Sequence, residues 1–136
     1  MEITMKPIGY IKSPHKEKAA VPKQGILSPE TTAVIEIFEE YSEGIVDIKE
    51  GEYGVVLFYF HKSEGYQLTT LSRRSNQMMG VFSTRSPNRP NGIGMSIVRF
   101  VKKEGRCLTF EGVDMLDGTP VLDIKPYSGE LCPAGE

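Results

Sequence analysis

Short runs of apolar, β-branched and aromatic residues recur along this chain, separated by stretches rich in glycine, proline and charged residues. Such runs are typical of β-strands, and no stretch has the pattern of a helix longer than about three turns. The predicted strands are Ile3–Lys12, Thr32–Phe38, Tyr53–His61, Met79–Ser83, Met95–Val101, Arg106–Val113 and Pro120–Ile124.

The run Tyr53–His61 (YGVVLFYFH) is the most apolar of these, and its length and aromatic content favour a buried strand. We expect Gly65–Thr70 to continue that sheet, Glu39–Ile48 to form a short helix, and a hairpin to turn at Lys103–Gly105. Strands do not alternate with helices, which excludes a doubly wound sheet and favours a mainly antiparallel, all-β barrel or sandwich. The 136 residues contain no linker or repeat, so one domain, 1–136, is predicted.

The composition of the chain narrows the class of protein. Hydrophobic residues make up 39% and charged residues 25%, which is typical of a soluble globular protein. No apolar run approaches the roughly 20 residues of a membrane helix, and Met1–Pro7 lacks the features of a signal peptide, so we expect a cytoplasmic protein. Cys107 and Cys132 lack a CxxC spacing, and His15 and His61 are the only histidines, so no metal site is predicted.

Basic residues are concentrated in one segment, although the net charge of the whole chain is −2. Between Gly65 and Lys103 there is no Asp or Glu, and seven basic residues there leave nine basic against 18 acidic residues elsewhere. The seven are Arg73, Arg74, Arg85, Arg89, Arg99, Lys102 and Lys103. This asymmetry predicts a positive face for an anionic ligand. The alternative is that folding mixes these charges with acids from other parts of the chain.

Within that segment, Phe82–Ser96 (FSTRSPNRPNGIGMS) combines turn-forming residues with arginines. Its two prolines restrict the backbone, and Gly92 and Gly94 allow close backbone approach. We therefore expect a stiff loop that presents Arg85 and Arg89, whose guanidinium groups suit carboxylate or phosphate. The Gly-Ile-Gly triplet is not a dinucleotide fingerprint, because no strand–helix–strand unit surrounds it.

Three other clusters contain residues capable of chemistry. Asp114, Asp117 and Asp123 lie within ten residues. Each can act as a base, accept a hydrogen bond from a hydroxyl group or pair with an arginine. Turn capping and ordinary ion pairing explain each of them equally well. His61 follows the most apolar strand and suits either ligand contact or a structural role. The third of these clusters, Val21–Gly25, has the composition of an ordinary loop.

Taken together, these segments resemble the TrmO/TsaA-like family, also called YaeB-like or VirR-like. The motifs that carry the resemblance are IGYIKSP (Ile8–Pro14), PKQG (Pro22–Gly25), YFHKS (Tyr59–Ser63), GVFSTRSPNRPNGIGMS (Gly80–Ser96) and DMLDGTPVLDIKPY (Asp114–Tyr127). They occur in the family's order and cover nearly the whole chain, and the last two are long and specific.

The resemblance implies a methyltransferase that uses S-adenosyl-L-methionine to methylate N6 of N6-threonylcarbamoyladenosine, the base just 3′ of the anticodon in certain tRNAs. It also implies a β-barrel unlike the Rossmann methyltransferases, and a homodimer with the cofactor near the subunit interface. The implied cofactor contacts are Pro22, Lys23, Gln24, His61, Lys62, Arg85, Met95, Gly112, Val113 and Asp114. Arg89, Arg73 and Arg74 are the expected contacts to substrate, and no metal ion is expected. Asp114, Asp117 and His61 are candidate proton acceptors, among which the sequence does not choose.

The chain departs from the family at Gly92, where proline is usual, so this loop is expected to be softer. Longer relatives have a C-terminal extension thought to help hold tRNA, whereas this sequence ends at Glu136, which puts tRNA affinity more in question than cofactor binding. Two other functions fit the residues. A non-catalytic RNA-binding or regulatory module would bind tRNA without the cofactor, and a methyltransferase with a small-molecule substrate would be indifferent to tRNA.

Overall fold

The computed structural model of the protein describes residues 1–15 and 31–128. Its strands are β1 (Gly9–Lys12), β2 (Thr32–Ile37), β3 (Tyr53–Tyr59), β4 (Thr69–Leu71), β5 (Met78–Gly80), β6 (Ile93–Glu104), β7 (Cys107–Glu111) and β8 (Pro120–Pro126). There are two short 3-10 helices among the described residues. Glu39–Ile45 lies between β2 and β3, and Val81–Ser83 follows β5. Within the described ranges, no helix is long and apolar enough to cross a membrane.

Six of the strands form one antiparallel sheet that closes on itself in the order β1-β2-β7-β6-β3-β8. Closure depends on β1, which pairs with β2 along its whole length and with β8 through Gly9 and Tyr10. β4 and β5 pair only with each other. The prediction of a mainly β, antiparallel fold is therefore confirmed.

The interior of the closed sheet is filled by residues that alternate along each strand. In β3 the inward positions are Gly54, Val56 and Phe58, and in β6 they include Ser96 and Val98. The core cluster is Ile11, Ala33, Ile35, Ile37, Ile45, Val56, Phe58, Val98, Phe100, Leu108, Phe110, Val113, Met115 and Val121. Aliphatic and aromatic side chains of this kind stabilise the fold by roughly 1.5–3 kcal/mol each when fully buried.

The apolar run at β3 is only half buried, which corrects the expectation of a strand buried on both faces. Tyr59 at its end is 45% exposed, and Val55 and Leu57 point outward and are partly exposed. Neighbouring β6 repeats this arrangement, since Ile93 and Ile97 are exposed on the same outer face. The two strands therefore share an apolar outer surface, a feature that the composition of a single run does not reveal.

Four predicted elements differ from the structure. Met79–Ser83 is not one strand, because the strand is Met78–Gly80 and Val81–Ser83 forms a 3-10 helix. The first strand begins at Gly9 rather than Ile3, and Pro7, which lacks an N–H donor, lies just before it. The stretch Gly65–Thr70 does not continue the β3 sheet, because Thr69–Leu71 pairs instead with β5. The β6–β7 hairpin turns at Gly105 and Arg106, since β6 extends through Glu104 and Gly105 has a positive φ of 56°.

The fold has one end at which the predicted motifs meet, which we call the site end. β1, β3 and β7 finish there, and β2, β6 and β8 begin there, as the antiparallel register requires. The described connections at this end are residues 13–15, 60–92 and 112–119. They contain the described loop residues that the resemblance assigns to the cofactor.

Replacing Gly94 with alanine is expected to lower the free energy of unfolding by about 1–3 kcal/mol, because the new Cβ would lie 2.5 Å from the ring of Phe58. Gly92→Ala is the matched control, since the nearest atom to its new Cβ, on Tyr59, is 3.4 Å away. There we expect a change within about 0.5 kcal/mol. Urea denaturation of both variants measures the difference, and equal losses would show that the Phe58 contact does not limit residue 94.

Candidate functional site

The β7–β8 connection, residues 112–119, is tied to the segment that follows β1. The buried Ser13 hydroxyl donates to the Met115 carbonyl (2.8 Å), and the Ser13 N–H donates to Asp117 Oδ1 (2.9 Å). The Asp117 N–H donates to the His15 carbonyl (2.7 Å). These bonds hold two of the three site-end connections in one rigid unit, and they give the Asp117 carboxylate a structural partner.

Asp114 reaches the interior of the sheet near the same end. Its carboxylate accepts the hydroxyl of Ser96 at 2.6 Å to Oδ1 and 2.7 Å to Oδ2. Ser96 lies at an inward position of β6 and is 4% exposed. A buried hydroxyl bonded to a carboxylate is worth more than a neutral pair and fixes the carboxylate's position.

His61 follows β3 and contacts the turn that Asp117 begins. Its Nε2 lies 3.8 Å from the position a Cβ would occupy on Gly118. Its Nδ1 is buried and has no hydrogen-bond partner among residues 1–15 and 31–128. Burial, and secondarily the charge of Lys62, lowers the pKa of His61 below its ordinary value of 6.5. The imidazole is therefore predominantly neutral at pH 7, although a backbone hydrogen bond at Tyr59 partly opposes the fall in its pKa. The described residues leave the buried Nδ1 open to a further partner.

The two arginines of the proline-containing loop differ in role. Arg89 Nη1 donates to the carbonyls of Thr84 (2.9 Å) and Ser86 (3.2 Å), so its guanidinium braces the loop from within. Arg85 is exposed, and no described residue forms a hydrogen bond or ion pair with it. The Thr84 hydroxyl donates a further hydrogen bond to the Val81 carbonyl (2.9 Å). The loop is thus held by its own side chains, and Arg85 is the arginine left available to a ligand.

The other predicted cofactor residues are divided between loop, strand and core. Lys62 is exposed next to His61, and Met95 is 44% exposed on the outer face of β6. Gly112 has a φ of 90° and is partly exposed, whereas Val113 is completely buried in the core, backbone included. Pro22, Lys23 and Gln24 lie outside the described residues.

The positive surface is smaller than the acid-free segment suggested. Arg99 pairs with Glu111 at 3.0 Å, and Lys102 pairs with Glu104. Lys103 Nζ donates to the carbonyls of Ile45 (3.2 Å) and Val46 (2.9 Å), and its N–H donates to Glu50 (2.9 Å). Four of the seven basic residues are therefore engaged, since Arg89 also donates to carbonyls of its own loop. Two of the four, Arg99 and Lys102, pair with acids as the alternative of mixed charges predicted. Arg73, Arg74 and Arg85 remain as the exposed group, the first two in the turn between β4 and β5.

Sequence reasoning missed two polar residues at the site end. Ser96 gave a usable signal, because a hydroxyl at an inward position of an otherwise apolar strand needs a buried partner. His15 gave none: its Nε2 is buried without a partner among the described residues, and only the fold shows this. Those same residues contain no group of three or more His, Cys, Asp or Glu arranged to hold a metal ion.

The fold and the site define a small antiparallel β-barrel protein with a polar site built from loops at one end. The chain belongs to the TrmO family, because residues 10–131 match the family model described as the tRNA-methyltransferase O N-terminal domain. It is 43% identical over 129 residues to a probable S-adenosyl-L-methionine-binding protein of Pyrococcus abyssi, covering 95% of this chain and 70% of that protein.

Two further relatives support the assignment. The chain is 40% identical over 128 residues to the mouse tRNA (adenine(37)-N6)-methyltransferase, covering 89% of this chain and 30% of that enzyme. It superposes on the crystal structure of TrmO from Pseudomonas aeruginosa with a TM-score of 0.84 at 37% identity, covering all of this chain and 60% of that one. The chain therefore corresponds to one part of these longer proteins.

Proposed function

We propose that this chain is an S-adenosyl-L-methionine-dependent methyltransferase that methylates N6 of N6-threonylcarbamoyladenosine in tRNA. Family membership and the names of the relatives support the methyltransferase and its cofactor. The observation that carries the proposal is the neutral His61, whose buried ring nitrogen has no partner among the described residues, at the end where the described family motifs meet. The threonylcarbamoyl group and the position beside the anticodon rest on the family resemblance.

The residues at the site end have the chemistry that S-adenosyl-L-methionine requires. The cofactor has a purine with hydrogen-bonding edges, a ribose, a carboxylate and an amino group. Arg85 is an available cation for the carboxylate, and His61 and the partly exposed backbone of Gly112 supply polar contacts. Met95 offers a polarisable apolar contact on the outer face of β6.

When bound, the cofactor supplies an electrophilic methyl group on a sulfonium, so the protein's tasks are positioning and proton acceptance. The N6–H of the substrate lies beside a urea-type carbonyl, which makes it more acidic than the N–H of an adenine amine. Of the three candidate acceptors, Asp117 accepts the Ser13 N–H and Asp114 accepts the Ser96 hydroxyl. His61 is neutral at pH 7, so it is the acceptor we assign.

We also propose that the active unit is a homodimer formed through the apolar outer face of β3 and β6. Tyr59 pairs with Ile93, Leu57 with Met95 and Val55 with Ile97, which places their side chains on one surface. The Arg99–Glu111 ion pair joins β6 to the flanking β7, and the Asp123–Lys125 pair lies on the flanking β8. An apolar centre with charged edges is the usual make-up of a subunit interface. Met95 belongs both to this face and to the cofactor residues, so a second copy would lie beside the cofactor.

The substitution Ile97→Asp is expected to convert the dimer to a monomer, because a carboxylate at the centre of an apolar interface loses its water without gaining a partner. Light scattering coupled to size-exclusion chromatography measures the mass. Val46→Asp is the control, since Val46 is also exposed but lies beyond the opposite end of the sheet. A wild-type monomer, or a dimer that persists in Ile97→Asp, would contradict this interface.

The function is tested by incubating the protein with labelled S-adenosyl-L-methionine and tRNA that carries threonylcarbamoyladenosine without the methyl group. Digestion and mass spectrometry are expected to detect the methylated nucleoside. The same tRNA without the threonylcarbamoyl group is the matched control and should remain unmethylated. Cofactor binding with no product would favour a small-molecule substrate, and tRNA binding without cofactor affinity would favour the non-catalytic module.

A further inference from the structure

Two adjoining clefts lie beside the site end and share one aromatic residue, Tyr66. The larger, about 390 Å³, is lined by Glu64, Tyr66, Gln67, Thr70 and Asn88. The smaller, about 150 Å³, is lined by Tyr59, Phe60, Ser63, Gly65, Tyr66, Pro87, Arg89, Pro90 and Gly92. The smaller cleft therefore runs between the end of β3, immediately before His61, and the proline-containing loop. The larger cleft adjoins it at Tyr66.

The larger cleft combines an aromatic ring with side chains that read hydrogen-bonding edges. Glu64 supplies acceptors, and the amides of Gln67 and Asn88 supply both donors and acceptors. None of these three side chains is hydrogen-bonded to another residue in the part of the chain that the structure describes. Tyr66 is 56% exposed, so its ring is available for stacking. The volume is within the range of small-ligand sites.

This combination matches the way in which proteins hold an unpaired nucleotide. Single-stranded bases stack on aromatic side chains and are identified by hydrogen bonds to their edges. Gln and Asn amides suit the adjacent donor and acceptor of adenine, and a Glu carboxylate accepts from an exocyclic amino group.

We propose that these clefts bind one unpaired nucleotide of the RNA substrate, next to the nucleotide that is methylated. The inference rests on the proposed function, because it takes the RNA as the substrate of the same site. Tyr66 stacks on the base, Gln67 and Asn88 contact its edge, and Glu64 selects a base with an exocyclic amino group. The smaller cleft has Tyr59 and Phe60 on its wall, and Phe60 immediately precedes His61 in the chain.

The test compares Tyr66→Ala with Tyr53→Ala, because both tyrosines are 56% exposed and Tyr53 lies at the far end of β3. Fluorescence anisotropy measures the affinity for an anticodon stem-loop RNA carrying threonylcarbamoyladenosine, and calorimetry measures the affinity for S-adenosyl-L-methionine. Tyr66→Ala is expected to weaken RNA binding about 10-fold or more without changing cofactor affinity. Tyr66→Phe and Tyr53→Ala are expected to bind RNA as the wild type does.

A second comparison tests the reading of the base edge. Wild-type protein is expected to prefer adenosine or cytidine over uridine at the nucleotides flanking the modified base. Glu64→Gln is expected to reduce that preference several-fold, with little change in the affinity for the RNA that carries uridine.

The outcomes separate this inference from the proposed function. If Tyr66→Ala binds RNA within twofold of the wild type while methylation continues, the nucleotide cleft is wrong and the methyltransferase stands. If RNA binding depends on Tyr66 but no RNA is methylated, the cleft stands and the proposed activity is wrong. If wild-type protein binds no RNA, both are overturned.

Discussion

Arg85→Ala is expected to weaken the binding of S-adenosyl-L-methionine about 10- to 100-fold and to leave the free energy of unfolding unchanged. The guanidinium of Arg85 is exposed and has no hydrogen bond or ion pair within the described residues, so its removal leaves no protein group unsatisfied. A charge-assisted bond to the cofactor carboxylate would be lost. Calorimetric titration measures the affinity, and Arg73→Ala, in the β4–β5 turn, is the control with unchanged affinity.

Arg89→Ala, in the same loop, is expected to lower the free energy of unfolding. Removing its guanidinium leaves the carbonyls of Thr84 and Ser86 without this donor, so we expect the protein to lose about 1 kcal/mol of stability. Arg89→Lys should restore only part of the lost stability, because an ammonium group cannot reproduce the planar, multiply donating guanidinium. If Arg89→Ala and Arg85→Ala were equally stable and equally weak in cofactor binding, the division of roles between the two arginines would be wrong.

The positions of several strands could be predicted from the sequence, but the pairing that closes the sheet and the exposed outer face of β3 could not. β2, β3 and β8 lie close to their predicted ranges because apolar, β-branched runs are a local signal. Closure of the sheet requires β1 to pair with β8, more than 100 residues away, and no local pattern encodes that pairing. The outer apolar face of β3 was unpredictable for a related reason, since an unbroken apolar run does not show which face lacks a partner in the chain.

The loops that form the candidate site could be predicted from the sequence, but the interactions of their individual side chains could not. Turn-forming residues marked the proline-containing loop and the Asp117–Gly118 turn, and the antiparallel order brings both to one end. Which charges are committed elsewhere depends on contacts across strands. Arg99 meets Glu111 only because β6 and β7 pair in that register. The same register brings Asp114, three residues after Glu111, to Ser96, three residues before Arg99.

His61→Asn is expected to lower kcat for methylation about 100-fold or more, the range that loss of a general base produces. Asparagine retains a polar group near the position of Nδ1 but cannot accept the proton. The wild-type enzyme should show a constant kcat/KM between pH 7 and 8, because burial lowers the pKa of His61 below 6.5 and the ring stays neutral there. The rate should fall as the pH drops below that lowered pKa, about tenfold per pH unit.

The same shift affects stability, which provides a readout independent of turnover. As the pH falls below 6.5, the unfolded chain takes up a proton at residue 61 before the folded chain does, so the folded state loses stability. His61→Asn should remove this part of the pH dependence while Asp117→Asn retains both it and the rate, since an amide oxygen still accepts the Ser13 N–H. A pH profile of kcat/KM that His61→Asn leaves unchanged, but Asp114→Asn abolishes, would transfer the role of proton acceptor to Asp114.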